Sequence, residues 1–430
     1  MLGTLPKAGN GTQTMITLVK GFHDILPDAA PKWAFITDTA RSTLETFGFR
    51  EIVPPVMEKT RLFERGIGEV TDIVEKEMYT FEDRGGESLT LRPEATAGIL
   101  RAVVEHSLLH RDSMLKLYTI GPMFRRERPS KGRFRQFYQI NAEVLGDDSP
   151  LTDAETIAAA HAIMTNIGAT GLAIEINSVG CVNCRAVYRR VLSEYLEDYL
   201  DELCPDCRRR YWSNPLRILD CKVPRCAEIA RDAPLITDSL DQPCKEHFEA
   251  VQEALGLLGI PFRLEPRMVR GLDYYTRTAF EIVHEELGKT KAVGGGGRYD
   301  NLLQELGGPD ASGIGFAIGV ERLALGIPDS DRFDRSTDAY VAILGAKALK
   351  AGFQLANSLR LRGLSVEARY STMSLKAQMK LADKLGAKIV LMLGEDELDK
   401  QEVTVRNMKT KEQTTMKIMD AADYLQGEPV

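Results

Sequence analysis

The hydrophobic positions of residues 31–49 repeat with a helical period. They fall roughly on one stripe: Trp33, Phe35, Ile36, Leu44 and Phe47. Pro31 suits a first helical turn, where a missing N–H is tolerated, and Gly48 suits the residue at which a helix ends. The pattern therefore predicts an amphipathic helix in this part of the chain.

Segments with strand-like alternation follow this helix. They cover residues 49–53, 78–83, 88–93, 115–126, 134–146, 172–179, 278–287 and 313–320. Pro54 and Pro55 interrupt the first of them, since a proline has no N–H to donate to a ladder. The strands lie between long helical stretches without regular β-α-β alternation, which predicts an α+β fold around a largely antiparallel sheet.

The pattern changes from about Asp338 onwards. Hydrophobic runs then alternate with helical stretches, which predicts a small α/β domain with partly parallel strands. The predicted domains, in chain order, are a flexible leader (1–17), a core (18–328) with an inserted helical, cysteine-bearing segment (181–250), a polar linker (329–337) and the α/β domain (338–430). The leader lacks the apolar stretch of a secretion signal, so we expect a cytoplasmic protein.

Composition and charge narrow the class of protein. Of the 430 residues, 43% are hydrophobic and 27% are charged, as in a soluble globular enzyme. No apolar run approaches the ~20 residues that span a bilayer, so we expect no contact with a membrane. The net charge of −7 excludes a uniformly basic nucleic-acid binder and restricts any such binding to local patches.

All seven cysteines lie between positions 181 and 244, and their odd number suits a reducing compartment better than a disulfide scaffold. Cys181 with Cys184, and Cys204 with Cys207, form two C-x-x-C pairs. The spacing of the pairs is typical of a zinc ribbon, which predicts a structural Zn²⁺ on these four residues. Reduced, partly buried thiols are the alternative, and we favour it over a bound ion.

A basic loop at residues 125–135 carries the densest chemical signal. It holds five arginines and one lysine against a single acid, Glu127. The strand that follows alternates, and its period places Gln139, Asn141 and Glu143 on one face. Arginines beside an amide and a carboxylate are typical of a floor that binds a phosphorylated substrate. A solvated hairpin tip is the alternative.

Two further segments place polar residues near predicted element boundaries. Pro93 suits the first turn of a helix with Glu94 and Thr96 at its mouth, although helix capping alone would explain that pair. Tyr274 and Tyr275 precede a predicted strand, where tyrosines lie in a core more often than in a site.

A glycine run at residues 294–297 ends in Arg298 and Tyr299. It lacks the spacing of a phosphate-binding loop, so close backbone packing or close approach to a ligand explains it better. Glu321 and Arg322 lie where an apolar strand meets a helix. A charged pair at such a junction is either a structural ion pair or a ligand contact.

Together these segments resemble the histidine-specific aminoacyl-tRNA synthetases, a class II family, from about Lys20 to the C-terminus. EIVPPVMEKTRLFERGIGE resembles the motif 1 that builds the dimer interface, GPMFRRERPSKGRFRQF resembles motif 2, and SGIGFAIGVERLAL resembles motif 3. These three motifs indicate the class. LRPEATA, RGLDYYTRTAFE and GGGGRYD are similar to segments that are characteristic of the histidine-specific family.

The resemblance implies a two-step reaction on histidine, ATP with Mg²⁺, and tRNA(His), carried out by a homodimer. The histidine carboxylate would attack the α-phosphorus of ATP, and a tRNA hydroxyl would then take the acyl group. Arg125 would hold the α-phosphate and the carboxylate, whereas Arg133 and Arg322 would hold the β- and γ-phosphates. Arg270 would stabilise the transition-state charge, which makes it, with Arg125, the predicted catalytic pair.

The resemblance also implies a histidine pocket formed by Glu94, Ala95, Thr96, Gln139, Glu143, Arg270, Tyr274 and Tyr275. Glu94 and Thr96 would receive the α-amino group. Glu143 and Tyr274 would bracket the imidazole, which needs an acceptor for one nitrogen and a polar partner for the other. Tyr275 would help to wall the pocket.

Two positions depart from the family pattern. Ala95 stands where the family usually has glycine, and Ser130 stands where the motif 2 loop commonly has a glutamine. The α/β domain would bind the anticodon, and its lysines 376, 380 and 384 would form a basic helix face; a solvated lysine stripe is the alternative.

Two other functions are alternatives to a synthetase. A catalytically silent, synthetase-like regulatory subunit of histidine biosynthesis is the first, but such paralogues generally lack the anticodon domain and lose the ATP-binding arginines. An unrelated ATP-dependent ligase with the same core is the second, and it would not explain RGLDYY beside LRPEATA.

Overall fold

The structure is a computed structural model that describes residues 16–68, 71, 73–268, 274–285, 292–330, 333, 337–371 and 373–427. The chain divides into two compact units, residues 1–329 and 330–430. Within the described ranges, every helix is too short or too polar to traverse a bilayer. Most of the predicted leader, most of the predicted linker and Arg270 lie outside the described residues.

The first unit contains both helices and strands. Its helices are α1 (Ala30–Thr46), α2 (Thr60–Ile67), α3 (Thr96–Glu105), α4 (Pro150–Ile167), α5 (Val182–Glu197), α6 (Pro205–Ser213), α7 (Pro224–Asp232), α8 (Gln242–Leu257), α9 (Leu302–Glu305) and α10 (Val320–Leu325). Its strands are β1 (Arg50–Glu51), β2 (Met57–Lys59), β3 (Tyr79–Glu82), β4 (Ser88–Leu91), β5 (Leu115–Phe124), β6 (Gln136–Leu145), β7 (Leu172–Ser178), β8 (Arg263–Leu264), β9 (Thr276–His284), β10 (Ala292–Arg298) and β11 (Gly313–Gly319).

An eight-stranded sheet in the order β1-β5-β6-β11-β10-β9-β7-β8 organises this unit. Strands β5 to β7 in that order pair antiparallel, and one parallel strand closes each edge. The predicted α+β fold on an antiparallel sheet is confirmed. A small antiparallel sheet, β2-β4-β3, also belongs to this unit.

The sequence pattern located the main elements and missed others. The predicted first helix is α1, which ends two residues before Gly48, and the predicted strands correspond to β1, β3 to β7, β9 and β11. The placement of Pro93 in a first helical turn was wrong, because α3 begins at Thr96. The glycine run forms a central strand, β10, which its lack of side chains had concealed.

The inserted segment is helical, as predicted, and carries all seven cysteines near or on α5 to α8. Its buried cluster includes Tyr188, Leu192, Ile218 and Ile229. Short 3₁₀ turns at Leu200–Glu202, Pro215–Ile218 and Ile236–Ser239 connect its helices.

The second unit is a mixed α/β layer structure. Its elements are β12 (Ala339–Ile343), α11 (Leu349–Leu361), β13 (Val366–Ala368), α12 (Leu375–Lys384), β14 (Ile389–Leu393), α13 (Glu395–Asp399), β15 (Glu402–Asn407), β16 (Gln413–Lys417) and α14 (Ala421–Gln426). The sheet order is β13-β12-β14-β15-β16, with the first three strands parallel and the last two antiparallel. Partly parallel pairing was predicted and is confirmed.

Candidate active site

A cavity of about 310 Å³ lies over the central strands of the large sheet. It brings together most of the residues that the sequence singled out: Glu94, Thr96, Arg125, Arg133, Gln139, Glu143, Tyr274, Tyr275 and Arg322 all line it. Ala95 does not, because its methyl group is buried in the core beside α3. Arg270 lies outside the described residues.

Glu143 is the most deeply placed carboxylate of the cavity, and it is 1% exposed. The Thr96 hydroxyl donates to its Oε1 at 2.6 Å, and the Tyr299 hydroxyl donates to its Oε2. Burial raises the pKa of Glu143 to about 8, and the nearby Glu94 carboxylate also raises it, whereas the two hydrogen bonds act in the opposite direction. The hydrogen bonds from Thr96 and Tyr299 fix the position of the Glu143 carboxyl group, so a donor on a ligand would find its oxygens already in place.

Glu94 lies beside Glu143 and accepts backbone hydrogen bonds from the first turn of α3. Thr96 N–H donates to its Oε2 at 3.1 Å, and Ala97 N–H donates to its Oε1 at 2.8 Å. The capping role that the sequence left open is thus real, and the same side chain also faces the cavity. Burial raises the pKa of Glu94 despite these donors.

The aromatic wall of the cavity includes Tyr274 and Tyr299, whose rings meet edge to face at 5.7 Å between centroids. Burial raises the pKa of Tyr274 well above its usual range, so its phenol keeps its proton. Gln139 lies on the same strand as Glu143, and its Oε1 has no hydrogen-bond partner among the described residues. A phenol and an open amide oxygen are suited to a polar ligand.

The glycines of β10 and β11 allow the strands to approach one another and the carboxylate. A Cβ on Gly296 would lie 2.0 Å from the carbonyl oxygen of Gly315, and a Cβ on Gly315 would lie 1.7 Å from Oε2 of Glu143. Close packing therefore explains these glycines, which is one of the two alternatives that the sequence left open for the run at 294–297. Side chains here would fill the space next to Glu143.

The basic end of the cavity is formed by the predicted arginine loop and α10. Glu127 lies between two arginines, 3.0 Å from Arg133 and 4.0 Å from Arg125. The Arg125 Nε also donates to the carbonyl oxygen of Pro93 at 2.8 Å, which fixes its direction. Burial and then the charge of Arg133 lower the pKa of Arg322 to about 10. Cations held this close together favour an anionic ligand.

Glu321 accepts the Tyr138 backbone N–H with both carboxylate oxygens, at 3.0 and 3.1 Å. Burial raises the pKa of Glu321 to about 7. Both Glu321 and Arg322 line the cavity, which favours the ligand-contact interpretation of this junction. Glu281, on β9, is a further carboxylate of the lining.

Arg298 lies outside the cavity lining and is fully buried. It pairs with Asp153 on α4, and its Nη1 lies 3.2 Å from Asp300. His247 from α8 contacts the same Asp153 at 2.8 Å. This network anchors the end of β10 and so positions the neighbouring Tyr299.

Sequence reasoning missed Tyr299, Glu127 and Glu281 as lining residues, and it raised Glu321 only as one of two alternatives. Tyr299 lies two residues after the glycine run, which is the signal that could have identified it. Glu127, as the lone acid in the arginine loop, was equally visible in the sequence.

The grouping of Cys181, Cys184, Cys204 and Cys207 into one metal site was wrong. The structure divides the cysteines into two groups, Cys204 with Cys207, Cys221 and Cys226, and Cys181 with Cys184, Cys244 and the carboxylate of Asp241. Each C-x-x-C pair finds its remaining partners later in the chain, which spacing alone does not reveal.

Comparisons with known proteins identify relatives over nearly the whole chain. A family model described as histidyl-tRNA synthetase matches residues 21–203 and 224–323, and an anticodon binding domain model matches 338–428. A histidine–tRNA ligase of Halothermothrix orenii is 48% identical over 95% of this chain and 98% of its own length. One of Trichlorobacter lovleyi is 50% identical over 91% and 94%. The crystal structure of apo histidyl-tRNA synthetase from S. aureus has a TM-score of 0.82 at 36% identity and covers 96% of this chain and all of that one.

Proposed function

The chain belongs to the histidyl-tRNA synthetase family, and from that premise we propose that it attaches L-histidine to tRNA(His) at the expense of ATP. The reaction passes through a histidyl-adenylate and releases diphosphate and AMP. The observation that carries the proposal is the convergence of three arginines and Glu143 in one cavity.

Neither step needs a nucleophile from the protein, because the histidine carboxylate and a tRNA hydroxyl supply the attacking oxygens. The protein must position these groups and neutralise phosphate charge. Arg125 holds the α-phosphate and the reacting carboxylate, whereas Arg133 and Arg322 hold the β- and γ-phosphates. Guanidinium groups suit this task because they stay charged and bind oxyanions with two donors. Arg270, which lies outside the described residues, stabilises the charge of the transition state.

The histidine side of the cavity is built from the group around Glu143. Glu143 accepts an imidazole N–H and Tyr274 supplies the second polar partner, while Tyr275 walls the pocket. Glu94 and Thr96 receive the α-amino group, with the open Oε1 of Gln139 nearby. Each carboxyl oxygen of Glu143 has two lone pairs, so the contacts from Thr96 and Tyr299 leave room for a further donor from the ligand.

Mg²⁺ accompanies ATP in this proposal. It prefers oxygen ligands and is commonly held by one or two carboxylates together with substrate phosphates. Glu281 and Glu321 fit that preference, since both line the cavity that contains the arginines. The ion would neutralise phosphate charge beside them.

A zinc ion in the cysteine-bearing insertion would have a structural role and not a catalytic one, because none of the seven cysteines lines the cavity.

The second unit binds tRNA by its anticodon end, as its family match supports. Lys376, Lys380 and Lys384 are exposed along α12 and offer phosphate contacts. We assign the segment around Pro55 to a homodimer interface, since Val53, Val56, Met57 and Phe81 are exposed there and in β3. A cytoplasmic location follows from this function.

Relatives named histidine–tRNA ligase at close to half identity favour this function over a silent regulatory subunit. The deciding experiment is exchange of labelled diphosphate into ATP across the twenty amino acids with Mg²⁺. Exchange with histidine alone is expected. Exchange with a different amino acid only, or with none, would overturn the proposal.

A further inference from the structure

Four cysteines of the insertion converge although the chain brings them from three elements. We call Cys204, Cys207, Cys221 and Cys226 the four-cysteine cluster. Their Sγ atoms all lie within 4.8 Å of one another, and those of Cys204 and Cys221 are 3.9 Å apart. Four thiolates around a tetrahedral Zn²⁺ at ~2.3 Å would be about 3.8 Å apart. The sulfur atoms therefore already have the spacing of a tetrahedral thiolate site.

The local backbone supports the same geometry. Cys204 immediately precedes α6, Cys207 lies in its first turn, and Cys226 lies in the first turn of α7. The backbone N–H of Cys204 donates to the Sγ of Cys226 at 3.2 Å. Hydrogen bonds of this kind orient the sulfur ligands of a metal and stabilise their negative charge. Cys204 and Cys221 are partly exposed, which gives an ion a route into the site.

The segment from Cys204 to Cys226 contributes few fully buried residues. Of the 23 residues from Cys204 to Cys226, only Cys207, Pro215, Ile218 and Cys226 are buried. Two of these four are cysteines. Partly buried side chains such as Leu216 and Leu219 pack against the buried cluster of the insertion. A metal cross-link would add to that packing and join α6 to α7.

We propose that the four-cysteine cluster binds one structural Zn²⁺. On binding, the four thiols release their protons, so that Zn²⁺ and four thiolates form a site of net charge −2. The proposal is independent of the proposed function, since no cysteine lines the cavity.

The second group is equally compact and consists of Cys181, Cys184, Cys244 and Asp241. It differs because the carboxylate of Asp241 already accepts other hydrogen bonds. Asp241 caps α8, with Oδ1 accepting from the Cys244 N–H at 3.0 Å. Its Oδ2 accepts from the Cys181 thiol at 3.2 Å. Because the carboxylate of Asp241 is already engaged as a helix cap, we do not assign the zinc to this group. It serves instead as the control in the experiment.

The family match also separates the two groups. It breaks between residues 203 and 224, and Cys204, Cys207 and Cys221 lie in that break. Both Cys181 and Cys184 lie within the matched stretch. The proposed site therefore belongs mainly to a segment that the family model does not describe.

The test is metal analysis with X-ray absorption at the zinc edge on the full chain, purified under reducing conditions and loaded with Zn²⁺ alone. We expect one zinc per chain with four sulfur neighbours at ~2.3 Å. The variant Cys221→Ser should lose that zinc, whereas the matched variant Cys181→Ser should keep it.

The absorption measurement on the unmodified chain needs no variant to fold, so the ligand set can be read even if Cys221→Ser aggregates. A shell of three sulfurs and one oxygen that disappears in Cys181→Ser would overturn the proposal, because it would place the ion in the second group. Reduced protein that stays metal-free after loading would overturn it as well.

Discussion

Tyr299 donates its hydroxyl hydrogen to Oε2 of Glu143, and this bond joins the end of the glycine strand to the floor of the cavity. Tyr299 is itself held by its neighbour Arg298, whose guanidinium is buried against α4. The acceptor proposed for the histidine imidazole is thus fixed by residues from three separate elements. The position of the Glu143 carboxyl group therefore depends on Tyr299 and Arg298, to which no substrate contact is assigned.

Replacing Tyr299 with phenylalanine tests this dependence. Loss of the hydroxyl leaves one buried oxygen of Glu143 without its donor, and an unsatisfied buried polar group of this kind costs about 1–3 kcal/mol of free energy. We expect Tyr299→Phe to raise the KM for histidine about tenfold or more in diphosphate exchange, with little change in the KM for ATP. Equal effects on both substrates would show that Tyr299 serves the fold in general.

Gly315→Ala should interfere with the same carboxylate by steric means. The added methyl group would lie 1.7 Å from Oε2 of Glu143, so Glu143 must move or the strands must separate. We expect histidine-dependent exchange to fall by two orders of magnitude or more. The control is Gly256→Ala in α8, where an added Cβ meets nothing within 4 Å and helix propensity improves by up to ~1 kcal/mol. Full exchange activity in Gly315→Ala would contradict the placement of Glu143.

The raised pKa of Glu143 predicts a pH-dependent difference in stability. Burial moves this pKa from 4.5 to about 8, so between these values the folded chain binds a proton that the unfolded chain releases. This contribution to stability is complete below pH 4.5 and is lost as the pH rises towards 8. Glu143→Gln carries no such proton. Its free energy of unfolding should therefore gain on that of the wild type as pH rises from 5 to 8, by at most ~1.4 kcal/mol per pH unit.

Urea unfolding of both proteins at four pH values measures that difference. Glu143→Gln should lose histidine-dependent exchange at every pH, whereas its stability relative to the wild type should change with pH. The two effects can therefore be told apart. A stability difference that does not change with pH would show that Glu143 is ionised in the folded chain throughout.

The sequence predicted the scaffold better than it predicted the supporting contacts. Strand-like hydrophobic segments identified β5, β6 and β11, whose residues are largely buried. Strand β10 has four glycines in succession and gives no alternation to detect. Tyr299 and the grouping of the cysteines were missed for a related reason, since both depend on contacts between segments that are far apart in the chain.

Arg298 should be essential for stability. It is fully buried with Asp153, and removing one member of a buried pair typically costs about 3–5 kcal/mol because the other charge is left without a partner. We expect Arg298→Ala to lower the free energy of unfolding by that amount. The matched control is Arg263→Ala, which breaks an exposed pair with Glu285 and should cost ~1 kcal/mol or less. Similar losses in the two variants would contradict the buried network.

The division of the chain into two units predicts that adenylation and charging can be separated. Adenylation needs only histidine and ATP, and the described residues assigned to them all lie before residue 329, where the first unit ends. The second unit has its own sheet and its own buried core, so its removal should not expose the core of the first. Ending the chain after Asp329 keeps the ion pair of that residue with Lys32.

The truncated chain should retain most of its histidine-dependent exchange, whereas its KM for tRNA should rise by an order of magnitude or more. Loss of phosphate contacts such as those offered by Lys376 and Lys380 should also flatten the dependence of tRNA binding on salt, because fewer counterions are released. Size-exclusion chromatography must first establish that the truncated protein has the same oligomeric state as the full chain. With that state unchanged, tRNA charging equal to that of the full chain would exclude an anticodon-binding role for the second unit.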